Sequence, residues 1–189
     1  MAMQQPLILV VGMHRSGTSL AASLLNSLGV SLPRPWLPAS VDNREGYFEL
    51  VAVQELQNRI LVELYRSWSS AAGVLPLPQG WLDSASGLRC ARALEKILVV
   101  LAEQQETPWA IKDSRTSLLL PLWRHVAARL GIPLRLVHII SNPAAVVQSL
   151  VRRDGSGAGM TPLRAQRLWW HHHQRVGRDG QGLPYLTIR

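Results

Sequence analysis

The chain holds a single cysteine, Cys90, so no internal disulfide can form and no thiolate cluster can gather a metal, a composition suited to a reducing compartment. Acids are the minority charge: 12 Asp and Glu stand against 20 Lys and Arg, a formal +8 over 189 residues. Lysine itself is scarce, with Lys96 and Lys112 the 2 in the chain. The arginines are spread along the sequence and form no dense basic run interleaved with aromatics, so nucleic acid is not the expected partner; a positively charged enzyme with an anionic small ligand fits better. No apolar run approaches the ~20 residues that cross a bilayer. The leading residues 1–6 lack the basic region of a secretory signal. No membrane anchor and a cytoplasmic location are expected. There is no internal repeat.

With 47% hydrophobic and 17% charged residues, the chain reads as one globular domain over residues 1–189. Its organising stretch is residues 7–19, LILVVGMHRSGTS. Five apolar residues ending in Gly12 read as a fully buried strand. A helical pattern starts at Thr18, carries Leu20, Leu24, Leu25 and Leu28 on one face and stops at Gly29. The loop between them has the spacing G-x-x-x-x-G-T-S, which wraps backbone N–H groups around a phosphate and aims a helix N-terminus at it. A nucleotide triphosphatase would place Lys after the second glycine; Thr18 stands there instead, and the cation Arg15 precedes Gly17 by two residues. A tight turn with a Ser/Thr cap would explain Thr18 or Ser19, but not two spaced glycines flanking an arginine.

Further along, residues 30–43 and 71–80 are Pro-rich loops, the first with Trp36 packed beneath it. Helical stripes run through Leu50, Val53, Leu56, Ile60, Leu61 and Leu64, and through Leu88, Ala91, Leu94, Ile97, Leu98 and Leu101. Short strands are expected at residues 107–111, 134–140 and 183–189. Helices are expected over 118–130, from Pro143 to about Arg153, and from Thr161 onward, with residues 154–159 a flexible glycine break. Strands alternating with helices predict an α/β fold, a parallel β-sheet flanked by helices in a P-loop NTPase-like three-layer α/β/α arrangement. In such sheets ligands bind beyond the carboxyl ends of the strands, and three of those ends carry polar clusters: residues 13–19, 112–115 and 141–149. The run His171, His172, His173 cannot make one tetrahedral metal site, because consecutive helical residues point apart; a helix face bordering the cleft is the better reading, and no metal is expected.

Together, residues 12–19 (GMHRSGTS), residues 112–115 (KDSR) and Ser141-Asn142-Pro143 with Ser149 resemble the sulfotransferases that use 3′-phosphoadenosine 5′-phosphosulfate (PAPS), in the branch with Arg in the first phosphate loop. The resemblance runs from about residue 7 to the end. It implies that residues 14–19 (His14, Arg15, Ser16, Gly17, Thr18, Ser19) hold the 5′-phosphosulfate, with Arg15 steadying the charge that builds on the leaving phosphate. It implies that Lys112 stabilises the transferring group; the alternative is a salt bridge to Asp113 or a neighbouring acid. Ser114 replaces the family's proline.

In the family an Arg at the third strand end and a Ser eight residues on bind the 3′-phosphate. Here the pair is Ser141 and Ser149. Losing one charged partner weakens a site by ~1.5–3 kcal/mol, roughly 10- to 100-fold. Arg152 or Arg153 is placed to compensate, unless the two serve the dipole at the helix end. The family's histidine base is matched by Ser114, so Glu49 is the first candidate base and Glu45 the second; either acid could instead simply open its helix. His14 would donate to the sulfonate or pack as an imidazole. The expected reaction is sulfuryl transfer from PAPS to a hydroxyl or amine on a small-molecule, glycan or peptide acceptor. The rivals are a same-fold nucleotide binder without catalysis and a P-loop kinase. Relatives usually continue into another helix after the last strand, so a longer C-terminus is also expected.

Overall fold

The computed structural model describes residues 5–40, 43, 46–70 and 72–189. Strand β1, Leu7–Gly12, is the apolar run at the N-terminus, and it lies inside the sheet with neighbours on both sides. The strand order is β2-β1-β3-β4, where β2 is Trp109–Lys112, β3 Leu134–Ile139 and β4 Tyr185–Ile188, and every pairing is parallel. A parallel sheet covered on both faces needs largely apolar strands; β1 is apolar throughout, β2 apart from Lys112, and β3 apart from Arg135 and His138.

Because successive side chains point to opposite faces, each strand feeds two cores. Leu7, Leu9 and Val11, with Trp109, Ile111, Leu134 and Leu136, form the larger one, closed by the helices on that side. These are α2 (Val51–Glu63), α3 (Ala85–Glu103), α4 (Thr116–Leu130), α5 (Pro143–Ala158) and α6 (Pro162–Asp179). Val10, Ala110, Val137 and Ile139 form the smaller core with Ala21 and Ala22 of α1, Thr18–Ser27. The result is a three-layer α/β/α fold, as the alternation of elements predicts. No helix among the described residues is long and apolar enough to cross a membrane.

Two expectations need correction. The leucine stripe of α1 does not face the sheet: Leu20, Leu24 and Leu28 are 62%, 56% and 80% exposed, while Thr18, Ala21 and Ala22 are buried and Leu25 only half so. Both stripes have helical spacing, and hydrophobicity alone favours the leucines. Close approach of the helix to the sheet requires the small residues instead. Leu24→Gln should therefore change the unfolding free energy by less than about 0.5 kcal/mol, whereas Ala22→Leu should cost about 1–3 kcal/mol by overpacking. Urea denaturation of the two variants checks this.

The second correction concerns residues 154–159. Helix α5 runs through Gly155 and Gly157 to Ala158 and ends at Gly159, which adopts φ +60°. Two glycines cost the helix about 1 kcal/mol each against alanine. The cap at Asn142, whose Oδ1 accepts from the Ala144 and Ala145 amides, and burial of Val146 and Leu150 hold it nonetheless.

Candidate functional site

Strand β1 ends where Gly12 turns with φ +149°. A Cβ there would lie 2.6 Å from the Ile139 carbonyl oxygen of β3, so only glycine permits the exit. The Gly12 amide donates to Ser117 Oγ at 3.0 Å, and that hydroxyl lies 3.3 Å from the Gly12 carbonyl. Two residues of the loop adopt left-handed backbone, Gly17 (φ +84°) and Arg15 (φ +69°). For arginine this conformation is uncommon and strained, and such outliers persist where surrounding contacts impose them. The contact is visible: Arg15 Nε donates to Ser149 Oγ at 2.9 Å, tying the loop to α5.

The loop opens on a cavity of about 230 Å³. His14, Arg15, Gly17, Thr18 and Ser19 line one side; Glu49, Lys112 and Ser114 line the other, with Ser149 and Arg153 from α5 and with Asn43 and Tyr47 from the segment before α2. Ser16 is buried behind the loop. Neither Ser141 nor Arg152 borders the cavity. The Ser141 carbonyl accepts from Trp169 Nε1, and Arg152 lies on an outer groove between α5 and Pro162. Arg153 is the arginine of the pair that reaches the cavity; it is held by Asp154 at 2.7 and 2.8 Å and sits over the Trp68 ring. Glu45 lies outside the described residues.

Behind the cavity is a buried ionic network. Lys112 Nζ lies 2.7 Å from Glu49 Oε1 and donates to the Tyr47 carbonyl at 3.1 Å. Arg115 bridges Glu49 Oε2 at 3.2 Å and Asp113 Oδ1 at 2.8 Å. All four side chains are nearly excluded from solvent. The partner of Lys112 is thus Glu49, 63 residues away, and not the adjacent Asp113. Burial, reinforced by the nearby Glu49, pushes the Asp113 carboxyl up to about 6.

Three buried polar atoms around the loop have no hydrogen-bond partner among the described residues: His14 Nε2, Ser16 Oγ and Ser114 Oγ. Buried polar groups are nearly always paired, and an oxyanion ligand would satisfy the two whose residues border the cavity, His14 and Ser114; Ser16 does not border it. Burial, with Arg115 and then His172 as lesser influences, holds the His14 imidazole well below its ordinary pKa and therefore neutral. Its ring lies 4.2 Å from that of Trp68, centroid to centroid. Sequence reasoning did not find Trp68, Ser117, Tyr47 or Arg115's link to Glu49. Trp68 and Ser117 carry no local motif, and although Arg115 belongs to residues 112–115 and Tyr47 to the segment before α2, long-range contacts set their partners.

The chain matches no family model, and no curated protein matches it. Among solved structures it is similar to the sulfotransferase STF9 from Mycobacterium avium, with a TM-score of 0.51 and 19% identity over 100% of this chain and 59% of that one. It is also similar to deoxyadenosine kinase from M. mycoides with bound dATP, with a TM-score of 0.47 and 10% identity over 96% and 90% of the two chains. The likeness to the sulfotransferase shows a shared fold, and this chain spans 59% of that protein's length.

The α6 histidines meet three different surroundings. His171 is exposed, His172 is buried with Nδ1 2.9 Å from the Leu168 carbonyl, and His173 Nδ1 lies 2.7 Å from His138 Nε2. Among the described residues no group of His, Cys, Asp or Glu side chains is arranged to hold a metal. Burial lowers His138 to about 3 and His172 and His173 to about 4. Groups depressed in the folded state stabilise it above their unfolded value and lose that contribution as pH falls. Asp113 runs the other way, its contribution fading as pH rises from 3.8 through about 6. The histidines outnumber it, so stability should fall on acidification from pH 6.5 toward pH 4. A urea midpoint lower at about pH 5 than at about pH 7 is the expected result; a higher one contradicts the assignment.

Proposed function

We propose that this chain transfers a sulfuryl group from PAPS to a hydroxyl or amine of a small-molecule, glycan or peptide acceptor. The observation that carries the reading is Arg15 held at a left-handed position of the phosphate loop by Ser149, across a cavity from Lys112. The loop thereby supplies its cation from a site other than the one used for triphosphates. The unpartnered atoms of His14 and Ser114, both residues of the cavity lining, fit an oxyanion, and a cavity of about 230 Å³ takes a phosphosulfate end with the nucleoside at its rim.

PAPS, when bound, supplies the sulfuryl group and the phosphate that leaves with the bridging oxygen. Arg15 and the amides of residues 17–19 hold that phosphate, where the electron pair of the broken sulfur–oxygen bond ends up, while the Ser16 amide is spent on the Met13 carbonyl at 3.2 Å. Lys112, fixed by Glu49, holds the sulfonate oxygens, and neutral His14 donates an N–H to them. Glu49 is the one carboxylate bordering the cavity among the described residues. Its Oε2, the less closely held oxygen, takes the proton of the acceptor as the acceptor oxygen or nitrogen bonds to sulfur. Arg153 takes the 3′-phosphate in place of the arginine that Ser141 replaces.

Radiolabelled sulfate transfer from PAPS to a panel of phenols, amines and sugars tests the reading, with labelled product expected from at least one class. The engagement of Ser149 by Arg15 favours one second reading, a nucleotide-binding protein without transfer, because the hydroxyl otherwise available to a 3′-phosphate is occupied. Bisphosphate binding with no labelled product from any acceptor would assign that reading instead.

A further inference from the structure

Away from the phosphate loop, α6 and the loop after α2 enclose a concavity of about 800 Å³, larger than the phosphate cavity. Its polar side is a single stripe of α6: the cations Arg164, Arg167 and Arg178, with the imidazole of His171, recur at spacings of three, four and seven residues along the chain, which places them on one helix face. Its apolar side is formed by Val74, Leu75 and Pro76 with Leu163; Leu75 and Leu163 are 54% and 58% exposed.

The wall is stapled in place. Buried Arg175 donates to the Val74, Leu75 and Leu118 carbonyls, and Arg164 Nε donates to the Ser69 carbonyl at 2.8 Å. Asp179 is consumed by Arg175 and Arg178 at 3.0 and 2.8 Å. Arg167 and His171 make no hydrogen bond or ion pair among the described residues, and both line the concavity. No acid lines it. A preformed concavity with an apolar wall and a few converging cations suits a ligand that is apolar at one end and anionic at the other. A flat charged patch would suit an acidic protein surface. Here the cations stand along the edge of a recess with exposed leucines, so a single chain of methylenes can lie against the wall while its headgroup meets Arg167 and His171.

The geometry points to the α6 groove as a binding site for a single-chain amphiphile with an anionic headgroup, of the fatty-acid class. This site is separate from the phosphate cavity and does not depend on sulfuryl transfer. Calorimetric titration of the full chain with sodium dodecanoate tests it, with acetate as the chainless anion and dodecyltrimethylammonium as the chain with opposite charge. One dodecanoate per chain is expected, with the two controls at least tenfold weaker. Arg167→Glu and Leu163→Glu, both at exposed positions and checked for native thermal unfolding, should each weaken dodecanoate at least tenfold. Arg59→Glu, the same charge change on an exposed position of α2, should leave it unchanged.

Equal binding of dodecyltrimethylammonium would overturn the role of the arginine stripe. Binding indifferent to Arg167→Glu but lost in Leu24→Glu would move the site to the exposed leucines of α1. Self-association broken by Leu163→Glu, without dodecanoate binding, would give the groove to a second copy of the chain. Binding of oligoglutamate in preference to dodecanoate would give it to an acidic protein. Each of these results defeats the proposal.

Discussion

Replacing Arg15 by glycine is expected to lower the proposed sulfuryl transfer by about 10²–10³-fold, the usual consequence of removing one charge-stabilising donor from a transition state, while the fold stays at least as stable. The two halves of this result have different causes. The guanidinium is the loop's permanent positive charge at the cavity, so in the proposed reaction its loss falls on the step in which negative charge grows on the leaving phosphate. The backbone at this position has φ +69°, which glycine adopts without the steric cost arginine bears. Arg15→Lys should recover little activity. An ammonium lacks the forked geometry that lets one side chain bond Ser149 and still face a phosphate. Initial rates with labelled PAPS, together with urea denaturation of each variant, separate the effects. A fall in stability matching the fall in rate would show Arg15 to be structural.

The second large effect is expected at Glu49. Glu49→Gln removes the shared counter-charge of Lys112 and Arg115, both nearly excluded from solvent, and should cost about 3–5 kcal/mol of unfolding free energy. Arg115 keeps Asp113 as a partner, so the greater share falls on Lys112, which among the described residues would retain only the Tyr47 carbonyl. Adding Lys112→Met to Glu49→Gln should therefore restore part of the lost stability, because the uncompensated ammonium is gone. A double-mutant cycle in urea reads this coupling directly. Additive losses would mean that the two side chains do not act as a pair. The proposed transfer should be abolished in the double variant even where stability returns, since it lacks both the side chain proposed to hold the sulfonate and the one proposed to take the proton.

Much of the fold could be read in advance because its signals are local. A five-residue apolar run ending in glycine, a 3.6-residue stripe in α3 and a proline opening α5 each belong to one element. Their alternation leaves few topologies beyond a parallel sheet between helices. The face of α1 was not legible, because two helical stripes coexist and the smaller side chains, not the more hydrophobic ones, allow close packing on the sheet. The glycine run in α5 was misleading for a related reason: intrinsic propensity yields to a good cap and a buried face.

The site divides along the same line. The loop proposed to hold phosphate is contiguous, and two glycines and an arginine single it out. Its supports come from far away in sequence: Ser149 to Arg15 across 134 residues, Ser117 to Gly12 across 105, and Arg115 to Glu49 across 66. No periodicity encodes such contacts. The choice between Arg152 and Arg153 turns on a rotation of one residue about α5, finer than an argument from spacing resolves.

The central claim is that the loop grips the 5′ end of a sulfuryl donor's nucleotide and not a magnesium-bound triphosphate. Calorimetric titration with 3′,5′-adenosine bisphosphate, in parallel with ATP and magnesium, measures it most directly. The account predicts saturable bisphosphate binding that is lost in Arg15→Glu, with ATP at least tenfold weaker. Tighter binding of ATP with magnesium, unaffected by the charge reversal at Arg15, would contradict it.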